Sequence, residues 1–429
     1  MRTSDHGNRT IRTPLALGVG LYIVFGCIFA LGTPPMSGPD EGAHAVYIRV
    51  IATELRLPGL APPASYSETA TGTHQAQHPP GYHILCAPLF RLLRSFNVSP
   101  WTALRLLSVL IGAATVVVVW RIGRLLFPQR STAAALSATT GMVPMFQYMT
   151  AMINNIGLAI LLVALAAHRL AVILAGRDER RQWALLGLLL GLASLASLMG
   201  LALCLVPVAV LGLRSRALGV RETLLRLGAI VAGPALLAGW WFAYNYVVHG
   251  TPTPMFRGEP AAPIGLLPLL MSQPLQVLQS LAIMLNNGLV QLWWCAWLVR
   301  ETGAPAPALV LFQVVPYIGF ALFVAGIVRA RLSATGALRS WATAAVLALA
   351  IIFAGVARQV WYVDLQVAGF VGRYFVILLP FALPLAAWGL DLVRPCRISA
   401  RAWLAALWGL LIAANTAHAA YVLWFFHRP

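Results

Sequence analysis

"GLAILLVALAAHRLAVILAGRDERR", residues 157–181, decides the class of fold. A mostly apolar run continues without a turn signal and stops at Arg177, Arg180 and Arg181. An α-helix rises about 1.5 Å per residue, so a run of about 20 residues spans the hydrocarbon of a bilayer. Arginines at its end favour the cytoplasmic side. Similar runs recur along the 429 residues, of which 60% are hydrophobic and 10% charged. A water-soluble chain of this length needs more surface charge, and a membrane β-barrel needs short alternating segments, which are absent. The sequence therefore predicts an all-α polytopic membrane protein.

Working outward from this run, crossings are expected at about 14–33, 104–126, 131–149, 157–176, 228–248, 305–328, 340–357, 374–392 and 402–425. The stretch 183–213 is long for one span and short for two; it reads as a hairpin turning around Ser197 to Gly200. The total is about eleven helices. With the N-terminus cytoplasmic, the tail and the loops 121–130, 177–181, 214–226, 329–339 and 394–401 hold nineteen of the thirty arginines. Seven of the twelve acidic residues then lie outside, mostly in two outer loops, 34–103 and 249–304. Each loop carries moderately apolar helical stretches suited to lying in the membrane interface. In 41–57, for example, Ala43, Val46, Tyr47, Val50 and Ile51 fall on one side, with Arg49, Thr53 and Arg56 opposite. The chain reads as one unit over 1–429 in the cell membrane, with its chemistry on the outer face.

The net charge of +18 comes wholly from arginine. The absence of lysine excludes Schiff-base chemistry, and the scatter of the arginines argues for orientation and against nucleic acid. The five cysteines are isolated, which supports neither a disulfide framework nor a zinc site.

Four stretches could carry chemistry. In "SGPDEGAH", 37–44, Asp40 and Glu41 stand just beyond the first crossing. Ser37 and Asp40 have the spacing of a capping box, and carboxylates suit a helix start. Alternatively one of the pair is a general base at the membrane surface, where ionisable groups are costly. In "HQAQHPPGYH", 74–83, His74 and His78 have a metal-binding spacing if helical, or pack as polar groups beneath the loop. "WWFAYNYVVHGTPTP", 240–254, places Trp240, Trp241, Tyr244 and Asn245 at an outer helix end, as an aromatic belt would. In "GFVGRYFVILLP", 369–380, Arg373 and Tyr374 start a crossing on the outer side. An arginine there either snorkels to headgroups or meets a lipid-borne phosphate, which a guanidinium grips in a bidentate fork.

Taken in order, "PDEGAHAVYIRVIATELRLP", "QHPPGYHIL", "WWFAYNYVVHGTP" and "GRYFVILLP" resemble polytopic glycosyltransferases of the GT-C superfamily. The branch resembled includes protein O-mannosyltransferases and aminoarabinose transferases. The resemblance implies transfer of a sugar, mannose as the family-level expectation, from a polyprenyl-phosphate carrier to an acceptor hydroxyl on a protein, glycolipid, glycan or natural product. It implies Asp40 as catalytic base with Glu41 beside it, and Arg373 at the lipid phosphate. Tyr374, Arg358, Arg300, His78, Tyr82 and Asn245 are further candidates for the substrate site. No cofactor is firmly implied; a divalent metal is possible but unsupported. The chain departs from its relatives twice. Ile156 in "MINNIGL" stands where they often carry an aspartate, and "ASLASLMG", 193–200, lacks their lysine. The alternative is a lipid or sugar transporter, whose polar groups should gather near the membrane midplane.

Overall fold

Among the described residues the apolar runs become helix. The computed structural model describes residues 4–127, 131–254, 271–293, 306–333, 335–363, 372–392 and 399–427. Nine helices among them are long and apolar enough to cross a membrane. They include α1 (Ser4–Gly32), α4 (Trp101–Leu126), α7 (Ile156–Leu174) and α11 (Val220–His249). One of the expected crossings, 131–149, does not form a single long helix. Residues 131–151 divide into α5 (Ser131–Ser137), a 3-10 turn (Ala138–Met142) and α6 (Pro144–Ala151). Pro144 has no N–H to continue the ladder. The carbonyls freed near the break are taken by side chains: Gln147 Nε2 donates to Gly141 at 2.7 Å and Asn415 Nδ2 to Met142 at 3.0 Å. The stretch expected to turn around Ser197 to Gly200 is interrupted there: α8 (Arg180–Ala196) ends at Ser197 in extended backbone before α9 (Leu198–Ala202) and α10 (Leu205–Leu218).

Small residues let α8 and α11 approach closely. A Cβ on Gly187 would collide with the Ala229 carbonyl, and one on Gly233 with that of Gly187. This is the packing by which helices associate in lipid, where no hydrophobic force separates helix from solvent. The sides of α11 away from α8 expose Leu236, Tyr246 and Val247, as a lipid-facing surface should.

The first long polar loop, 34–103, forms α2 (Glu41–Glu54) and α3 (Gly81–Ser95). The amphipathic reading places α2 in the interface with Arg49 facing water; instead α2 is buried from Glu41 through Val50, except Gly42. Segment 55–73 folds over it: the Arg49 guanidinium donates to the Ala70 carbonyl and lies 3.6 Å from Glu54. Its charge is thus satisfied by chain that periodicity does not see. It is α3 that exposes apolar side chains, among them Ile84, Leu85 and Leu92, and buries Tyr82, His83 and Phe90. In the second long polar loop, 249–304, the described residues include the helix Pro274–Trp293.

One ion pair joins these parts. Arg105 of α4 donates Nε to Glu41 Oε1 at 2.7 Å and Nη2 to Oε2 at 2.6 Å. Its remaining N–H groups go to the Ala30, Thr33 and Pro34 carbonyls at the end of α1, at 3.0, 2.6 and 2.9 Å. Glu41 also accepts from the backbone N–H of Gly38 at 3.1 Å and of Ile153 at 3.2 Å. The two side chains are 0% and 4% exposed, so either charge alone would be stranded. Breaking such a pair from one side costs about 3–5 kcal/mol. Arg105→Leu is therefore expected to lower the thermal midpoint of the detergent-solubilised protein sharply, with the Glu41→Leu/Arg105→Leu double variant less affected. An Arg105→Leu protein that melts with the wild type would show that the pair does not hold the loop.

Candidate functional site

The chain leaves α1 at Gly32 and reaches α2 through a turn that ends on Asp40 in left-handed backbone, φ +55°. Aspartate tolerates this region better than most residues. The conformation sends neighbouring carboxylates in opposite directions. Glu41 turns inward to Arg105, while Asp40 opens onto a cavity of about 360 Å³. The expected capping box does not form: Asp40 is the N-cap residue, yet its side chain makes no cap bond. The Ser37 N–H that such a box would use bonds to the Pro34 carbonyl at 3.3 Å instead, and the Asp40 carboxylate borders the cavity.

Two groups hold that carboxylate. Arg373 Nη1 donates to Oδ2 at 2.7 Å, and His74 Nε2 lies 3.5 Å from Oδ1. Burial pushes the carboxyl up, but the His74 hydrogen bond and the Arg373 charge outweigh it and hold it well below the usual carboxylate range. Arg373 sits on the short turn Gly372–Phe375. That turn is anchored by the Gly372 N–H donating to Gln291 Oε1 at 2.7 Å. Its guanidinium also donates to the Tyr374 hydroxyl at 3.1 Å and lies 5.0 Å from that ring's centroid. Arg373 Nε is buried without a partner, a donor left over for a ligand.

His74 is placed by a 3-10 turn (His74–Gln77). Thr73 caps it, accepting from Gln75 N at 3.2 Å and donating to the Ala43 carbonyl of α2 at 3.2 Å. His44, His74 and His78 all border the cavity. Burial is the main cause lowering His44 to about 3 and His78 to about 4, so both are neutral. Behind them His83 is fully buried, and its Nε2 lies 2.9 Å from His44 Nδ1. The rest of the wall mixes polar Gln75, Gln77, Asn154, Asn155 and Ser197 with apolar Met149, Leu198, Met199, Ile351 and Ile352. Among the described residues no group of three or more His, Cys, Asp or Glu side chains is arranged to hold a metal ion.

Of the residues expected at the site, Asp40, His78, Arg373 and Tyr374 come together around this cavity. Three others do not border it. Glu41 is spent on Arg105. Tyr82 is packed against Cys86, Leu104 and Ile48, with its hydroxyl 3.0 Å from Ser108 Oγ. Asn245 is buried and donates to the Pro252 carbonyl at 3.5 Å. It shapes the turn that brings Pro254 to the cavity. Trp241 is fully buried too, and only Trp240 and Tyr244 of the expected belt are exposed. Arg300, and the side chain of Arg358, lie outside the described residues. Asn154, Asn155, Ser197 and Met199 also line the wall and are not among the expected site residues; Ile156, the first departure from the relatives, lines it with them, and the second departure, 193–200, contains Ser197 and Met199.

Residues 77–241 match the family model for dolichyl-phosphate-mannose-protein mannosyltransferase. No curated protein sequence matches the chain. Among solved structures it is similar to ArnT from Cupriavidus metallidurans bound to undecaprenyl phosphate, with 17% identity and a TM-score of 0.55. That match covers 96% of this chain and 69% of ArnT. It is also similar to the apo oligosaccharyltransferase of Archaeoglobus fulgidus, with 14% identity and a TM-score of 0.56, over 94% of this chain and 56% of that one. The chain thus spans little more than half the length of the archaeal enzyme. Helical architecture, the matched segment and these likenesses agree: the chain has the GT-C glycosyltransferase fold.

Proposed function

We propose that the protein transfers a sugar from a polyprenyl-phosphate carrier to an acceptor hydroxyl, by direct displacement with inversion, on the outer face of the cell membrane. The observation that carries this reading is the pairing of Asp40 with Arg373 at the wall of one cavity, 333 residues apart in sequence. A base and a phosphate-matching cation are the two charges such a reaction needs. The solved ArnT structure holds undecaprenyl phosphate, and the matched family model names a dolichyl-phosphate mannose donor. Both support a lipid phosphate here and mannose as the first sugar to test. The acceptor is a hydroxyl of a protein, glycolipid, glycan or natural product.

In this reaction the hydroxyl oxygen bonds to the anomeric carbon while Asp40 accepts its proton. The bond from that carbon to the phosphate oxygen breaks, and its electron pair leaves with the phosphate. One carboxylate suffices for a single displacement. Asp40 is the only one lining the cavity among the described residues, whereas a covalent route would need a second group in the nucleophile's place. Arg373 serves twice. With no donor it neutralises Asp40; when the donor's phosphate engages the guanidinium, Asp40 loses its counter-charge and regains basicity. Glu41 acts through position, by fixing the turn on which Asp40 sits. An isoprenoid tail stays in the lipid, which explains a site at the margin of the apolar helices.

Purified protein in detergent with a radiolabelled polyprenyl-phosphate sugar is expected to release label onto an acceptor. Asp40→Asn should fold normally and lose about 10²–10⁴ in turnover. Wild-type turnover in that variant would remove Asp40 from the chemistry.

The pH dependence follows from the same pair. Because the folded-state carboxyl is held below its unfolded value, its contribution to stability is complete above the unfolded value and is lost as pH falls through the folded one. The difference in melting temperature between wild type and Asp40→Asn should therefore be flat from about pH 5 to pH 8 and shrink only under more acidic conditions. A difference that titrates near neutrality would contradict the ion pair.

A further inference from the structure

The buried histidine pair behind the cavity fixes the state of one of its walls. His44 and His83 are 3% and 0% exposed and joined by a single bond, His44 Nδ1 to His83 Nε2 at 2.9 Å. Both rings are neutral, since burial depresses each and neither has a carboxylate partner on that bond. One proton therefore lies between them, and its direction decides the rest. If His44 donated, His83 would carry its own proton on Nδ1, which is buried and without a partner. An orphaned N–H is the costlier fault; an unused acceptor lone pair is tolerated more readily. His83 thus keeps its proton on Nε2 and donates to His44 Nδ1. Tyr47 holds the His83 ring in place, stacked at 3.8 Å between centroids and 14° between planes.

The consequence falls on His44. With Nδ1 accepting, the neutral ring carries its proton on Nε2, its remaining polar atom on the residue that borders the cavity. His44 also lies close to Asp40, its backbone N–H bonded to the Asp40 carbonyl at 3.0 Å, and both residues border the cavity.

We propose that His44 presents a fixed, neutral Nε2–H to the cavity as the donor that binds an oxygen of the sugar on the donor substrate, and that His83 sets this tautomer. The sugar assignment rests on the donor site proposed above; the tautomer does not. The sugar is favoured over the phosphate by position and charge. In a displacement the nucleophile with its base and the departing phosphate flank the anomeric carbon from opposite sides, so a group beside Asp40 faces the sugar. A neutral donor suits a neutral hydroxyl or ring oxygen, while the charged Arg373 suits the phosphate.

The test uses the full chain with 15N-labelled histidine in lipid nanodiscs, the His44 signal being identified as the one lost in His44→Gln. The expected spectrum shows His44 neutral near pH 7, protonated at Nε2 and bare at Nδ1. A His44 protonated at Nδ1, or doubly protonated, overturns the proposal without reference to activity. Binding then separates the two oxygens. His44→Phe should weaken a polyprenyl-phosphate sugar by roughly three- to tenfold, the worth of one hydrogen bond, and leave sugar-free polyprenyl phosphate unchanged. His44→Gln, whose amide can replace Nε2–H, should restore most of the difference. Equal loss for both ligands would assign the contact to phosphate and overturn the sugar assignment. If the wild type binds neither lipid, the donor site and the sugar contact fall together, while the spectrum still decides the tautomer.

Discussion

The structure around the site depends on the saturation of one buried guanidinium. Arg105 spends its N–H groups on both oxygens of Glu41 and on three carbonyls at the end of α1. Glu41 in turn takes two backbone N–H groups, one from the turn before α2 and one from the connector before α7. Four segments thus meet at two side chains with almost no exposed surface. A buried pair is a poor source of net stability, because desolvation offsets most of the attraction. Its value lies in specificity: the charges are satisfied only when these four segments are in register. That register sets the turn on which Asp40 stands.

Adjacent acids consequently do different work. Glu41 is structural because it is sealed and doubly engaged; Asp40 is available because its left-handed backbone turns it the other way, where a third of its side chain is exposed. The cavity it enters draws on widely separated parts of the chain. They include the loop 34–103, the connector before α7, the break between α8 and α9, the helix Gly336–Val363 and the turn carrying Arg373. Among the described lining residues Asp40 is the one carboxylate and Arg373 the one guanidinium, with neutral His44 and His78 and several amides between them and the apolar helices. Such a wall can grip a phosphate at one point and leave the remaining contacts to uncharged hydrogen bonds, which is what a sugar offers. A transport pathway would instead place its polar groups near the midplane.

Much of this was legible in the sequence, for reasons that also mark where legibility stops. Spans such as 157–176 are visible because the bilayer demands length and apolarity from each helix alone. Asp40 and Arg373 stand out because charge beside the ends of apolar helices has a cost and so needs a partner. The division of labour between Asp40 and Glu41 was not legible, since it depends on Arg105, 64 residues from Glu41. For the same reason α2 looked amphipathic: the carbonyl that satisfies Arg49 comes from Ala70, in a loop without periodicity. Tyr82 and Asn245 sat in suggestive motifs but are packed against Ser108 and Pro252. His44 drew no attention, because its meaning comes from the orphaned nitrogen of a residue on another helix.

The central claim is that Asp40 and Arg373 form one site for a lipid-linked phosphate and its sugar. An electron cryomicroscopy map of the protein in nanodiscs with a non-hydrolysable polyprenyl-phosphate sugar analogue tests it most directly. The account predicts phosphate density on the Arg373 guanidinium, the Asp40–Arg373 contact opened, and the anomeric carbon within reach of the Asp40 carboxylate. Headgroup density away from this cavity, with the ion pair intact, would contradict it.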